Sequence, residues 1–264
     1  MITAAVVLAT IAFGVSILTF FAGFGLGTLL MPAFALFFPV EVAVASTAIV
    51  HGANNGFKVW LLGRQARRSV VIAFGVPAML AAIAGALLLN VLAGDRTTIS
   101  WEMFGREAHV TPVKIVLGVL IVVFGLFELI PRLRALRAPA AWLPIGGALA
   151  GFFGGLSGHQ GALRAAFLSR AGMAPPEFVA TQSVLSLLVD ASRLLVYAAT
   201  FLTTAGSAAG VGIPWGLVGV ATIAALSGAL VGQALLPKVT IARLQVGIGL
   251  LLLVVGAALG LGAI

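Results

Sequence analysis

Residues 1–40 read MITAAVVLATIAFGVSILTFFAGFGLGTLLMPAFALFFPV, a stretch with no lysine, arginine, aspartate or glutamate. A membrane-spanning helix needs about 20 mostly apolar residues, so this stretch is too long for one simple span. Glycines from Gly23 to Gly27, and then Pro32, interrupt it. It lacks the basic start of a cleavable signal peptide, so we expect it to remain in the mature protein. The pattern predicts an integral membrane protein whose first segment is broken.

The composition of the whole chain agrees with this prediction. Of 264 residues, 61% are hydrophobic and 8% are charged, whereas soluble domains carry about 25% charged residues. A soluble fold with so few charges would expose large apolar patches. The composition therefore excludes a soluble enzyme and a nucleic-acid binder, and the net charge of +8 is expected to set topology and meet anionic lipid. With no cysteine and three histidines, we expect neither a metal centre nor another cofactor.

Charge-free gaps divide the chain into eight apolar segments, of which the first and fifth are broken by glycines. The segments are 2–38, 41–62, 70–92, 113–130, 142–170, 176–202, 210–236 and 241–264. Solid apolar runs of this kind are typical of helices and not of barrel strands. The predicted fold is an all-α integral membrane protein with two repeated four-segment halves, residues 1–138 and residues 139–264.

Polar residues between the segments set the expected orientation. Residues 93–112 are predicted to form a water-facing loop, with a short surface helix as one form it can take. Arginine clusters follow the second and fourth segments (Arg64, Arg67, Arg68; Arg132, Arg134, Arg137). Lysines and arginines favour the cytoplasmic side, so both clusters and both termini are expected there. Lys238 and Arg243 argue weakly for the other side, and re-entrant hairpins at the broken segments would overturn the assignment of the termini.

An internal repeat supports the division into halves. A shift of 135 residues places Val44-Ala-Ser-Thr47 on Val179-Ala-Thr-Gln182. The same shift places His51 on Ser186, Asn55 on Asp190 and Lys58 on Arg193. Duplicated units of this kind are common in transporters, where the substrate site lies at the interface between the repeats.

These motifs resemble the sulfite exporter TauE/SafE family over nearly the whole chain. The resemblance rests on two ordered copies, GFGLGTLLMP (23–32) with VAST (44–47), and GFFGGLSGHQG (151–161) with VATQ (179–182). It implies secondary transport of sulfite, sulfonates or other small sulfur-containing anions, with export as the direction. The family often has a fuller glycine run where this chain has Gly25-Leu26-Gly27, and His159-Gln160 interrupts the second copy, which leaves the exact anion open.

Two polar stripes predict the substrate site. On the second segment, polar residues share about one-third of the helix circumference: Thr47, His51, Asn54, Asn55 and Lys58. On the sixth, one face carries Ser183, Ser186, Asp190, Arg193 and Tyr197. Such stripes face a partner helix or a watery cavity, because polar groups in hydrocarbon are costly. Two cations that converge with amide and hydroxyl donors describe a site for an anion.

The broken segments are expected to complete this site. Glycines at Gly25, Gly27, Gly158 and Gly161 let the backbone turn and approach a ligand. The new half-helices would begin near Thr28 and Ala162 and present free N–H groups to an anion. His159 and Gln160 at the second break, and Arg164 beyond it, would add further contacts, because a guanidinium fork suits paired oxygens.

Each of these residues also has a purely structural interpretation. Lys58 can snorkel to the headgroups, Arg193 can form a bridge with Asp190, and His51 can be a hydrogen-bonded core residue. Asn54 and Asn55 can join helices, Arg164 can bind lipid phosphate, and the glycines can serve helix packing alone.

The sequence as a whole favours a non-enzymatic secondary transporter in the bacterial cytoplasmic membrane. The expected substrate is sulfite or an organosulfonate, and His51, His159 and Asp190 are candidates for proton coupling. No nucleotide-binding P-loop is present. The Gly155-Leu-Ser-Gly158 motif does not indicate a protease, because no histidine follows His159 and His159 itself is too near the serine in sequence to form the nucleophile–base geometry. A passive anion channel and a non-transporting scaffold are the alternatives, and homo-oligomerisation is left open.

Overall fold

The computed structural model describes residues 1–19, 25–94, 98–103, 106–203, 212–235 and 241–264. Within these ranges the secondary structure is helical apart from one β-hairpin, β1 (Ile99–Met103) and β2 (Arg106–Val110). The helices are α1 (Ile2–Thr19), α2 (Leu26–Ala35), α3 (Val40–Leu62), α4 (Arg68–Gly94), α5 (Pro112–Leu129), α6 (Pro131–Arg134), α7 (Leu143–Ser157), α8 (Gly161–Leu168), α9 (Pro175–Thr203), α10 (Trp215–Leu235) and α11 (Ile241–Gly260). Two short 3₁₀ turns, Gly63–Gln65 and Ala140–Trp142, precede α4 and α7.

The long helices have the composition of membrane spans. Among the described residues, five helices are long and apolar enough to cross a bilayer: α4, α5, Ala140–Ser157, and most of α9 and α10. Shorter apolar helices include α2, most of α1 and Val246–Gly260 of α11. The chain is therefore a multi-pass, predominantly helical membrane protein. Helix α3 falls outside the five because its histidine, asparagines and lysine lower its hydropathy.

Helices α4 and α7 run parallel in close backbone contact. Three glycines of α7 lie on successive turns of α4 in the same order along both helices (Gly147 on Phe74, Gly151 on Ala78, Gly155 on Ala82). A Cβ at any of these glycines would overlap a carbonyl oxygen of α4. Small residues that let two backbones approach are the usual basis of helix packing in lipid, where burial of apolar surface contributes little free energy to helix association.

Two further pairs cross the molecule antiparallel. Helix α3 packs on α9, with His51 opposite Asp190 and Gly56 opposite Leu187. Helix α5 packs on α11 through paired glycines, Gly118 against Gly256 and Gly125 against Gly249. Helix α1 packs on α10. These contacts, with the α4–α7 pair, join helices from before and after residue 139.

Helices α7 and α8 form a helical hairpin. Phe167 of α8 lies against Gly146 near the start of α7, and Ala138 N–H donates to Ala166 O at 3.2 Å. Helix α8 therefore returns to the end of the bundle at which α7 begins. Helix α1 likewise packs along α2, which leads directly into α3. Neither pair carries the chain across the bundle.

These directions define two ends of the bundle. At the arginine end, α3 ends and α4 and α9 begin. Arg67, which immediately precedes α4, donates to both carboxylate oxygens of Glu177 of α9, each at 2.7 Å. At the hairpin end lie the β-hairpin and the C-terminal end of α11, joined by a Trp101 Nε1 hydrogen bond to Leu261 O at 3.0 Å.

The expectation that both termini share the side of the arginine clusters is wrong. Both clusters lie at the arginine end, whereas α11 ends at the hairpin end. The start of α1 also lies at the hairpin end, because α1 packs along α2 and α2 leads into the start of α3 there. The reason is parity, because the two helical hairpins do not cross. Gly249 of α11 lies against Leu129, the last residue of α5, so α11 begins on the arginine side of this contact and runs to the hairpin end. Lys238 and the side chain of Arg243 fall outside the described residues.

The linker 93–112 also differs from expectation. No surface helix is found in its described part, which forms the antiparallel β1–β2 hairpin with Ile99 opposite Val110 and Trp101 opposite Ala108. The alternation of apolar and polar residues in Ile99-Ser-Trp-Glu-Met103 has the period of a strand, which explains the outcome. Asp95 and Arg96 lie outside the described residues.

Replacing Gly151 by alanine is expected to destabilise the protein. The added Cβ would overlap the carbonyl oxygen of Ala78 and force α4 and α7 apart, and overpacking of this kind costs about 1–3 kcal/mol. Thermal unfolding in detergent measures the effect. Gly219→Ala is the matched control, because a Cβ there meets nothing within 4 Å. Equal stability of the two variants would contradict the packing described.

The orientation is testable because the chain has no cysteine. The positive-inside rule predicts a cytoplasmic arginine end. In intact bacterial spheroplasts, a membrane-impermeant maleimide should therefore label Glu102→Cys at the hairpin end. It should label Ala135→Cys, beyond α6 at the arginine end, only after permeabilisation. The opposite labelling pattern would reverse the orientation.

Candidate functional site

The start of α2 and the break between α7 and α8 meet beside α3. A Cβ built at Gly27 would lie 3.3 Å from Gly158 O and 3.5 Å from Cδ2 of His51. Gly25, which precedes α2, has φ 120°, and Gly158, which follows α7, has φ 82°. Side chains rarely adopt such backbone conformations, so glycine is required at both turns. Residues 20–24, including Gly23 of the predicted first break, lie outside the described residues.

A buried carboxylate joins α3 to α9 at this point. Asp190 Oδ2 lies 2.6 Å from Nδ1 of His51, and Oδ1 accepts from Arg193 Nε at 3.0 Å and Nη2 at 2.7 Å. Asp190 and Arg193 are fully buried. The bridge within α9 that was considered as a structural alternative is therefore present, and it extends across the helix interface to His51.

A second buried guanidinium lies on α8. Arg164 Nε donates to Gln182 Oε1 at 2.8 Å, and Nη1 donates to Gln160 Oε1 at 2.9 Å. Arg164 is only 1% exposed, so it lies in the protein interior and not against lipid headgroups. Because both glutamine oxygens accept from Arg164, both amide nitrogens are directed away from it.

Several buried polar atoms of α3, of α9 and of the break between α7 and α8 have no hydrogen-bond partner among the described residues. They are Arg193 Nη1, Gln160 Nε2, Gln182 Nε2, His159 Nε2, Ser46 Oγ and Thr47 Oγ1. Arg193 Nη1 lies 3.0 Å from the position a Cβ would take at Gly158. Unsatisfied buried polar groups are costly and rare in proteins. Three of the six are N–H donors of Arg193, Gln160 and Gln182, which an anion would satisfy.

Lys58 adds a third cation. It is 4% exposed, so it is buried in this structure and does not snorkel, and it lies within electrostatic range of Arg164. Among the described residues, the buried carboxylates are Asp190 and Glu128, the latter on α5. The described residues therefore include three buried cations and two buried carboxylates. Buried charge is tolerated when it is paired, so the surplus favours an anionic ligand.

The predicted residues of α3 and α9 differ in what they contact. Asn55 Nδ2 donates to His51 O at 2.9 Å and lies 3.1 Å from the His51 ring. Asn54 Oδ1 accepts from Ser16 Oγ of α1 at 3.3 Å, which is the helix-joining role considered above. Ser186 is buried one turn before Asp190.

His159 occupies the break between α7 and α8, with Gln160 and Gly161 after it. Its Nδ1 lies 3.1 Å from Ser157 O, and its ring stacks on Phe124 of α5 with centroids 5.5 Å apart. Gly161 is the first residue of α8. The ring is therefore held on one side by backbone and on its face by an aromatic neighbour.

Two residues of this region were not predicted as site residues: Gln182, which orients Arg164, and Phe124, which supports His159. Tyr197 of the second polar stripe donates its hydroxyl to Gly155 O at 2.5 Å. The internal repeat carried a signal for Gln182, because it aligns with Thr47 of the first polar stripe. Phe124 lies on an apolar face of α5 that has no such signal.

A comparison with models of protein families matches residues 8–259 to the sulfite exporter TauE/SafE family. The chain belongs to this family. TauE/SafE proteins are membrane transporters, so membership implies transport of a sulfur-containing anion and not enzymatic catalysis. Searches of curated proteins and of solved structures each found no match.

Replacing Asp190 by asparagine is expected to destabilise this TauE/SafE protein strongly. The change leaves Arg193 buried without its counter-charge, and breaking a buried ion pair in this way costs about 3–5 kcal/mol. Adding Arg193→Gln should recover part of the loss, because coupled neighbours show interaction energies of about 0.5–3 kcal/mol. Unfolding in detergent gives the full double-mutant cycle.

Glu177→Gln is the control for this cycle, because it breaks an ion pair at the arginine end that is partly exposed. Exposed pairs contribute little to stability, so its effect should be much smaller. Additive effects of Asp190→Asn and Arg193→Gln would show that the two side chains do not depend on each other.

Proposed function

We propose that this protein is a secondary transporter that exports a small sulfur-containing oxyanion, sulfite or an organosulfonate, across the bacterial cytoplasmic membrane. The observation that carries the proposal is the group of buried cations, Lys58, Arg164 and Arg193, beside unpartnered N–H donors. Substrate-binding residues are then His51, Asn54, Asn55, Lys58, His159, Gln160, Arg164, Ser186 and Arg193. An anion at this point would replace missing hydrogen bonds and balance surplus charge.

The two half-helices support anion binding at the same place. Helix α2 begins at Leu26 and α8 at Gly161, and Gly27 lies against Gly158 where the two hairpins meet. The first N–H groups of a helix have no partner within the helix, and the helix end carries partial positive charge. Backbone N–H groups next to Gly25, Gly27, Gly158 and Gly161 would therefore share the anion with the guanidinium groups.

We infer that residues 1–138 and 139–264 are inverted repeats. A repeat that exchanged the two halves would convert the α1–α10 pair into the α7–α4 pair and return α3–α9 and α5–α11 to themselves, and all four contacts are found. The helical hairpin α1–α2 enters the bundle from the end that carries the β1–β2 hairpin. The helical hairpin α7–α8 enters from the arginine end. Inverted repeats with broken helices around a central site are typical of alternating access.

The contacts of Asp190 support a proposal of proton coupling. Its carboxylate holds Arg193, which is also the donor offered to the substrate, so anion and carboxylate compete for one guanidinium. A proton taken up by the His51–Asp190 pair would weaken that hold and release Arg193 for the anion. His159, the other candidate, lies beside the same guanidinium, next to Gly158. Movement of the anion would thereby be linked to movement of a proton.

Arg164→Gln and Arg193→Gln should each reduce uptake of radiolabelled sulfite into proteoliposomes to background. Each variant removes a buried cation that the anion needs while leaving a side chain of similar length. Arg137→Gln is the matched control, since it removes the same charge from an exposed position at the arginine end and should transport normally.

The form of the flux distinguishes the alternatives. A transporter saturates with sulfite and shows counter-transport, whereas a passive channel conducts without saturation at modest concentration. A scaffold gives no flux with any anion. Normal flux in both Arg164→Gln and Arg193→Gln would show that the anion does not bind at the proposed site, although the protein would still be a transporter.

A further inference from the structure

His159 provides a buried hydrogen-bond acceptor at the break between α7 and α8. Its Nδ1 lies 3.1 Å from the carbonyl oxygen of Ser157 and 3.2 Å from Ser157 Oγ. A carbonyl oxygen can only accept, so Nδ1 carries the hydrogen and the neutral ring keeps a lone pair on Nε2. Nε2 is buried and has no partner among the described residues.

The position of this lone pair is fixed by its surroundings. The ring stacks on Phe124 with an interplanar angle of 13°, and His159 is 2% exposed. The adjoining residue, Gly158, lies against Nη1 of Arg193, and His159 lies within electrostatic range of Arg193. An anion held by Arg193 would therefore lie next to an acceptor that cannot turn away from it.

The chemistry of the anion follows from this acceptor. A fully deprotonated oxyanion offers only lone pairs, so it would leave Nε2 unpaired and place like charge density against it. An oxyanion that keeps one O–H can donate to Nε2 while its other oxygens accept from Arg193 and the glutamines. A site built to pair a hydroxyl discriminates strongly against ligands that lack one.

We propose that Nε2 of His159 accepts a hydrogen bond from the hydroxyl of a protonated oxyanion. The transported species is then hydrogen sulfite, in preference to dianionic sulfite, sulfate or an organosulfonate. This deepens the proposed function and rests on it. Exclusion of the dianion also agrees with the buried charges of the described residues, because one negative charge balances the excess of three cations over two carboxylates.

The test compares sulfite with methanesulfonate, a monoanion with three similar oxygens and no exchangeable proton. Binding to the purified wild-type protein is measured across the pH range in which hydrogen sulfite loses its proton. The Kd for total sulfite should rise about tenfold for each pH unit above that pKa, because only the protonated form binds. At the lower pH, the Kd for methanesulfonate should be higher than the Kd for sulfite. The Kd for methanesulfonate should not show this rise with pH.

Methanesulfonate also controls for titration of the protein. The buried titratable or charged groups on the described elements around His159 are His51 and Lys58 of α3, Glu128 of α5, Arg164 of α8, and Asp190, Arg193 and Tyr197 of α9. Their titration would change the binding of both anions, whereas loss of the ligand's own proton changes only the binding of sulfite.

Variants of His159 isolate the acceptor. His159→Phe keeps a ring that can stack on Phe124 and removes Nε2, so it should weaken hydrogen sulfite binding by about tenfold to a hundredfold and leave methanesulfonate unchanged. His159→Gln restores an acceptor oxygen and should recover part of the preference. If His159→Phe does not fold, the pH comparison on the wild-type protein decides alone.

The contrary outcomes separate the two proposals. Equal affinity of the wild-type protein for methanesulfonate and sulfite at every pH would overturn the role of His159 while the anion site stands. Loss of sulfite and methanesulfonate binding to the same extent in His159→Phe would also overturn it. Failure of every anion to bind would reject the anion site and, with it, the selection of a protonated species.

Discussion

The carboxylate of Asp190 binds two buried side chains and supplies the counter-charge of one of them, Arg193. One of its oxygens binds His51 on α3 and the other binds Arg193 on the same helix, α9. Helices α3 and α9 are the antiparallel pair at the centre of the molecule, and each comes from a different half of the chain. The interaction therefore sets the register between the halves at the level where the two helical hairpins meet. It also keeps a guanidinium in the interior, where the proposed anion would bind.

Glycine makes the remaining geometry accessible. The α7–α8 hairpin can lie against α4 because Gly147, Gly151 and Gly155 carry no side chain. Close backbone approach replaces the hydrophobic driving force that lipid does not provide. At Gly25 and Gly158, glycine serves a different purpose, since the positive φ angles end one helical segment and begin the next. The same residue type thus positions the hairpins and shapes their tips.

Much of the fold could be predicted from the sequence, because apolar runs and charge-free gaps locate the helices. The polar stripes on the second and sixth segments follow from helical periodicity, and the structure buries Lys58 and Arg193 on α3 and α9. What lies outside the reach of periodicity is the partner of each residue. Nothing in the spacing of His51 and Asp190, 139 residues apart, indicates that they bind each other.

The errors have physical causes as well. The location of the termini depended on whether a broken segment crosses the bilayer, and hydropathy alone does not distinguish a crossing helix from a hairpin of the same length. The hairpin β1–β2 was missed because a strand of five residues gives a weak pattern beside long helices. The roles of Gln182 and Phe124 depend on tertiary contacts with Arg164 and His159.

The backbone contact between α4 and α7 has a consequence for motion. Helices in such contact cannot slide or separate without losing it, so α4 and α7 form one stiff unit, and α1 and α10 form its counterpart, with Gly228 closely packed on Phe13. Each stiff unit takes one helix from either side of residue 139. In the proposed alternating-access motion, the moving boundary would therefore run between these composite units and not at residue 139, where the proposed repeats meet. Two halves synthesised as separate chains would have to interlock before either could move as a unit.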